Sequence, residues 1–163
     1  VRSRALGASV LAVLAAAACD GGADDGTSRD AQVYAAAIRD VLADDAPRAP
    51  EDPLPVVYII GVGEGTIAAR VQADVAQSLD EDADVRFADE RSEALLKDAE
   101  DVPVRDDGVL IAIGAVAPDV DPVDVHVEIY RSEDDWSKRV LPIGSRSSHW
   151  TVTAESVLPA DAP

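Results

Sequence analysis

Residues 56–60 read VVYII and stand between Pro55 and Gly61. A continuous apolar run of this length, closed on both sides by residues that interrupt regular structure, is typical of a strand buried on both faces. Apolar residues then recur at every fourth position, at Ile67, Val71, Val75 and Leu79. This spacing predicts an amphipathic helix, and a short strand around Val85 and Phe87 follows it. Strand, helix and strand in this order predict a right-handed crossover with parallel strands.

The second half of the chain has a different periodicity. Residues 122–132 alternate between apolar and polar side chains, with Val123, Val125, Val127 and Ile129 on one side and Asp124, His126, Glu128 and Tyr130 on the other. Alternation of this kind predicts an antiparallel sheet with one face in water. Further strands are expected at 109–117, 138–145 and 149–157.

A third helix pattern lies before the buried strand. Residues 27–30 read TSRD, a plausible helix start, and apolar side chains then fall on one helical face at Tyr34, Ala37, Ile38, Val41 and Leu42. Residues 45–55 contain four prolines and predict an extended connector. A short helix is expected at 92–99. The expected fold class is α+β: an N-terminal helix, a β-α-β unit and an antiparallel meander, with the helices on one face of a mixed sheet. Residues 29–158 are interpreted as a single domain.

The composition limits the classes of partner. The 163 residues include 32 Asp and Glu against 14 Lys and Arg, and the net charge is −18. Nucleic acids are therefore excluded as expected partners, because phosphate binding requires basic patches. The single cysteine excludes an internal disulfide.

The first nineteen residues have the plan of a secretory signal peptide. Arg2 and Arg4 precede fourteen uncharged residues, Ala5 to Ala18, which end in small side chains before Cys19. Fourteen residues are too few to span a hydrocarbon core of about 30 Å as a helix. We therefore interpret 1–18 as a signal peptide rather than a transmembrane helix.

The stretch 14–19, LAAAAC, resembles the lipobox of bacterial lipoproteins, although Ala16 stands where that family most often has Leu. The resemblance implies that Cys19 receives a diacylglycerol, becomes the new N-terminus and anchors the chain to the extracytoplasmic side of the cell membrane. Residues 19–28 would then be the lipidated cysteine and a flexible acidic tether. The alternative is an ordinary cleavage site at Ala16–Ala18, with Cys19 incidental.

His126 and His149 are the candidate residues for acid-base chemistry or zinc binding. Both are expected on the outer, polar sheet face, beside Asp124 and Glu128. They would form a site only if their strands were neighbours. The alternative is that both are exposed polar residues of the sheet, and we assign no catalytic residue, metal ligand or cofactor.

Two further motifs match known binding loops only in part. The segment 61–65, GVGEG, follows a strand and precedes a helix, but Thr66 replaces the third glycine of a dinucleotide-binding loop. The segment 80–84 begins like a calcium loop, but Val85 and Arg91 occupy positions that require Gly and Glu. Weak cation binding is also open for Asp119, Asp121 and Asp124.

The two tryptophans have different expected roles. Trp150 belongs to an apolar alternation and is expected in the core. Trp136 follows three acidic residues in an expected hairpin loop, where partial burial against the sheet is the preferred interpretation over an exposed anchor for a partner or a sugar.

The second half also resembles a pattern found in uncharacterised secreted bacterial proteins, through 107–114, 123–131 and 150–152. This resemblance implies no activity. The expected function is a non-catalytic lipoprotein whose domain is a binding or structural module of the cell envelope, with an envelope protein or cell-wall component as its candidate partner. The alternatives are an envelope enzyme that uses the His126/His149 face and an acidic surface that weakly binds divalent cations.

Overall fold

The computed structural model describes residues 28–45, 48–49, 51–63, 66–147, 149–153 and 156–158. The segment 1–18, Cys19 and the tether up to residue 27 lie outside this part of the chain. The helices are α1 (Arg29–Ala43), α2 (Ala69–Ser78) and the single turn α3 (Arg91–Ala94), with a 3₁₀ turn at Arg105–Asp107. The strands are β1 (Val56–Val62), β2 (Asp84–Phe87), β3 (Val109–Gly114), β4 (Val123–Tyr130), β5 (Trp136–Arg146), β6 (His149–Val152) and β7 (Ser156–Leu158). None of the described helices is long and apolar enough to cross a membrane.

The described strands form one mixed sheet in the order β2-β1-β3-β4-β5-β6, and β7 also pairs with β5. The β1–β2 and β1–β3 pairs are parallel, whereas every pair from β3 to β7 is antiparallel. The expected α+β class, with a β-α-β unit followed by an antiparallel meander, is therefore confirmed. β1 and β3 lie inside the sheet and are apolar on both faces, as the run at 56–60 predicted.

Helices α1 and α2 cover one face of the sheet, which we call the inner face. Their buried side chains pack on a row of aliphatic residues from four strands, including Ile59, Ile111, Val127 and Leu141. The helix start differs slightly from the predicted one. Ser28 is the N-cap, and its hydroxyl accepts a hydrogen bond from the backbone N–H of Ala31 at 3.3 Å.

The short helix α3 lies on the opposite, outer face, which corrects the expectation that all helices share one face. Ala94, Leu95 and Val104 pack there against Tyr58 and Leu110. The reason is the handedness of crossovers between parallel strands. The connection from β1 to β2 moves one way along the sheet and the connection from β2 to β3 moves back past β1. Both can be right-handed only if they cross opposite faces.

Strand β4 confirms the predicted alternation. Its four odd-numbered residues, Val123 to Ile129, are buried on the inner face, while Asp124 and His126 are exposed. β5 is longer than expected and begins at Trp136, so the tryptophan lies in the strand rather than in the hairpin loop. The strand expected at 149–157 is divided into β6 and β7, and both pair with β5.

Candidate functional site

The outer face is covered only in part. The segment 94–104 lies over β1 and β3, and it is attached to the β4–β5 hairpin by backbone hydrogen bonds, among them Val104 N–H to Arg131 O at 3.0 Å. Beyond this cover, side chains of β4 and β5 border a depression that we call the outer-face groove. It is defined by Arg91, His126, Glu128, Tyr130, Trp136 and Lys138.

Strand register brings most of the groove residues together. Tyr130 lies opposite Trp136, and Glu128 lies opposite Lys138, so four side chains form two adjacent cross-strand pairs. Two cavities result, one of about 470 Å³ and one of about 200 Å³, and both are bordered by Glu128 and Lys138. Arg91 enters from α3 on the other side of the larger cavity.

Cations and aromatic rings are paired within the groove. The Arg91 guanidinium forms an ion pair with Glu128 and lies 5.1 Å from the centre of the Tyr130 ring. The Lys138 ammonium lies 5.9 Å from the centre of the Trp136 ring. Trp136 keeps 40% of its surface exposed, so the expectation of partial burial is met only in part.

Tyr130 is a hydrogen-bond donor rather than an acid in this site. Its hydroxyl donates to the carbonyl oxygen of Val102 at 3.0 Å. Burial raises the pKa of Tyr130, and the negative charge of Glu133 adds to this effect while Arg91 opposes it. The phenol therefore stays protonated at neutral pH and holds the segment 94–104 against the sheet.

The structure does not bring His126 and His149 together. His126 is opposite Val140 of β5, whereas His149 is opposite Arg146 of the same strand. Six residues of extended strand separate these two positions, about 20 Å along β5. The histidine pair considered from the sequence is therefore not formed, and His126 instead shares the smaller cavity with Glu128 and Lys138.

The glycine loop occupies the turn between β1 and α2. Gly63 has a φ of +92°, a conformation that side chains disfavour, and Glu64 and Gly65 lie outside the described residues. The N-cap of α2 is Ala68, which makes no side-chain capping bond. The described residues of the loop therefore turn the chain from β1 toward α2, and none of these loop residues is positively charged.

The acidic segments make structural contacts. Asp82 pairs with Arg39, Asp84 pairs with Arg86, and Asp121 accepts a hydrogen bond from the backbone N–H of Ser145 at 3.1 Å. Within the residues that the structure describes, no group of three or more His, Cys, Asp or Glu side chains is arranged to hold a metal ion.

One charged cluster was not anticipated from the sequence. The Arg86 guanidinium donates to Tyr58 Oη at 2.9 Å and to Asp106 Oδ2 at 2.5 Å, and Tyr58 Oη donates to the same carboxylate at 3.0 Å. These bonds lower the pKa of Asp106, mainly through Arg86 and then through Tyr58. They fasten the end of the β2–β3 connection, where Asp106 has a φ of 57°, to the outer face.

Asp106→Asn is expected to remove a pH-dependent part of the stability. Folding lowers the pKa of this carboxyl, so its ionised form stabilises the protein at pH values above the pKa of the unfolded state. This contribution is lost as the pH falls through the lower pKa of the folded state. Asparagine tolerates the same left-handed backbone, so the charge is the main change. Chemical denaturation should show the variant less stable at pH 7 and the difference shrinking toward pH 2. A difference that is constant with pH would contradict this assignment.

Comparisons of the chain with protein-family models, with curated proteins and with solved structures found no match. The groove itself was only partly visible in the sequence. Alternation predicted that His126, Glu128 and Tyr130 share one face of the sheet. Trp136 and Lys138 are two residues apart, so a strand that begins at Trp136, rather than at the predicted residue 138, places both on the same face. No sequence pattern indicated Arg91, because only the course of the chain from β2 to β3 places α3 beside this face.

Proposed function

We propose that this chain is a lipid-anchored extracytoplasmic protein with a non-catalytic binding domain. In this proposal Cys19 carries the lipid, and residues 20–27 are a tether that ends before Ser28, the N-cap of α1. The domain binds a component of the cell envelope through the outer-face groove. The groove is the observation that supports the binding function, and the resemblance of 14–19 to a lipobox supports the location.

The anchor is supported by the position of the single cysteine. Cys19 follows the uncharged run directly, where one thiol is needed and the chain has no other. One acyl chain binds a membrane only marginally, whereas two or more chains on one residue hold firmly, because each buried CH₂ contributes about 0.8 kcal/mol. The eight residues 20–27, rich in Gly and Asp, would give the domain an r.m.s. reach of about 14–17 Å from this anchor.

The binding role is supported by the residue types in the groove. Trp, Tyr and Arg are the residues that most often dominate binding energy, and here Trp136, Tyr130 and Arg91 border one cavity. Loss of Arg2 and Arg4 with the signal would take the net charge from −18 to −20. Such a charge keeps the rest of the domain surface away from anionic lipid and nucleic acid.

The contacts at the start of α1 support a tether that joins the domain away from the Trp136 end of the groove. Arg29 donates hydrogen bonds to the carbonyl oxygens of Ala117, at 3.1 Å, and Val120, beside the first residue of β4. Tyr130 and Trp136 of the groove lie at the other end of β4, about 24 Å from Val123 along the strand, whereas His126 lies only about 10 Å from it. A domain tethered through 20–27 can therefore present the Trp136 end of the groove away from the bilayer, which favours an envelope partner over the membrane lipid itself.

Photo-crosslinking in the native envelope tests this proposal. A photoreactive residue in place of Glu133, at the rim of the groove, should give a discrete adduct in cells. The same residue in place of Val120, which is exposed at the tether end, is the matched control and should not give that adduct. The adduct should disappear when Trp136 is also replaced by alanine. An adduct that survives this replacement, or that forms equally from position 120, would contradict binding through the groove.

The alternative of an envelope enzyme now depends on different residues. His126 and Glu128 border the same cavity of about 200 Å³, and both are residue types that can take part in acid-base chemistry. The binding proposal predicts that His126→Gln changes the cellular phenotype only as far as it weakens the Glu133 adduct. A lost phenotype with unchanged stability and an unchanged adduct would favour the enzyme.

A further inference from the structure

The exposed indole of Trp136 is the largest apolar surface in the groove. It keeps 40% of its area in water, and it stands beside Tyr130 at the start of β5. An indole is rigid and amphipathic, so a flat ligand can cover it at little cost in side-chain entropy. The ring is therefore a platform for a ligand that has a flat, apolar face.

The charged groups around this platform have both signs. Arg91 and Lys138 supply N–H donors, and Glu128 and Glu133 supply carboxylate acceptors. An anionic ligand would be opposed by the two carboxylates, and a cationic ligand by the two cations. Hydroxyl groups both donate and accept hydrogen bonds, so a neutral, hydroxyl-rich ligand can use all four side chains.

The size of the groove fits a small ring or a few linked rings. Its larger cavity is shallow and open to solvent, with a volume of about 470 Å³ that lies in the range of small-molecule sites, and the smaller one of about 200 Å³ shares Glu128 and Lys138 with it. A stable protein partner would need about 800 Å² of surface on each side. Among the described residues, the exposed large side chains Leu54, Leu96 and Val120 lie outside the groove, and Val62 borders only its smaller cavity, so no broad apolar patch surrounds Trp136.

We propose that the outer-face groove binds a neutral sugar ring of an envelope glycan, which stacks on Trp136 and hydrogen-bonds to Arg91, Glu128 and Lys138. A pyranose has the required combination, because its C–H groups form an apolar face and its hydroxyls project at the rim. The Lys138 ammonium lies 5.9 Å from the centre of the indole, and its flexible side chain can move to the rim and donate to a hydroxyl of a stacked ligand. This inference rests on the proposed binding role and adds the chemical class of the ligand.

Fluorescence titration of the full-length chain tests the inference. In Trp150→Phe, emission comes from Trp136 alone, and the protein is kept in a polyoxyethylene detergent because alkyl glycosides would compete. The titrants are chitotetraose, cellotetraose and maltotetraose, and sorbitol serves as an open-chain polyol with hydroxyls but no ring face. We expect a saturable change in emission with at least one of the three oligosaccharides and no saturable change with sorbitol.

Variants then connect the binding to the groove. By calorimetry on the wild-type background, Trp136→Ala should weaken the oligosaccharide by roughly 30-fold, as expected for a central aromatic contact. Glu128→Gln should weaken it by a smaller factor, and Val120→Ser should leave it unchanged. If none of the oligosaccharides binds, if sorbitol binds equally well, or if Trp136→Ala binds like the wild type, the sugar assignment is wrong. The Glu133 adduct reports separately on the binding role, so the two proposals can fail independently.

Discussion

Replacing Ile111 by alanine is expected to lower the free energy of unfolding by about 2–5 kcal/mol. Ile111 is fully buried in β3, between Ile59 of β1 and Ile129 of β4 on the inner face. The substitution removes buried apolar atoms and leaves a cavity under α1 and α2 that a strand paired on both sides cannot close by moving. Since natural domains have about 5–15 kcal/mol of stability, this one change can leave the chain largely unfolded.

Urea denaturation, followed by circular dichroism, measures this effect. Val120→Ala is the matched control, because it also shortens an aliphatic side chain, and Val120 is 45% exposed. The control should change the stability by no more than about 0.5 kcal/mol. Equal effects of the two substitutions would contradict the placement of Ile111 at the centre of the core.

Replacing Cys19 by alanine is expected to remove the protein from the membrane fraction or to leave its signal peptide uncleaved. Without the thiol no diacylglycerol can be attached, and a domain with this excess of acidic residues is repelled by an anionic surface. Cell fractionation with immunoblotting measures the distribution. Thr27→Ala, in the tether, keeps the thiol and should fractionate like the wild type. Normal processing with unchanged membrane retention in the Cys19 variant would refute lipidation.

Much of the fold could be predicted because it depends on short-range patterns. The buried run at 56–60, the four-residue spacing from Ile67 to Leu79 and the alternation in β4 each specify one element and the face it buries. The placement of α3 could not be read in the same way. It follows from the return of the chain from β2 past β1 to β3, and that strand order is not visible in any local pattern.

The candidate site depends on register, which explains why it was only partly predictable. Alternation predicted that His126 and His149 share one face of the sheet, and the structure confirms it. The length of β5 decides how far apart the two histidines lie along that face. β5 begins at Trp136, two residues before its predicted start at Lys138, so the tryptophan lies in a cross-strand pair with Tyr130 and not in a loop. Acidic residues at 133–135 favour a turn, and this local signal concealed the strand that begins directly after them.

Mass spectrometry of the N-terminal peptide from the membrane-bound protein tests most directly whether this is a lipid-anchored binding protein. We expect the peptide to begin at Cys19 and to carry a diacylglyceryl group in thioether linkage on its sulfur, with or without an additional acyl chain on the new amino group. A peptide with an unmodified Cys19 thiol, or one that begins at any other residue, would contradict the anchor.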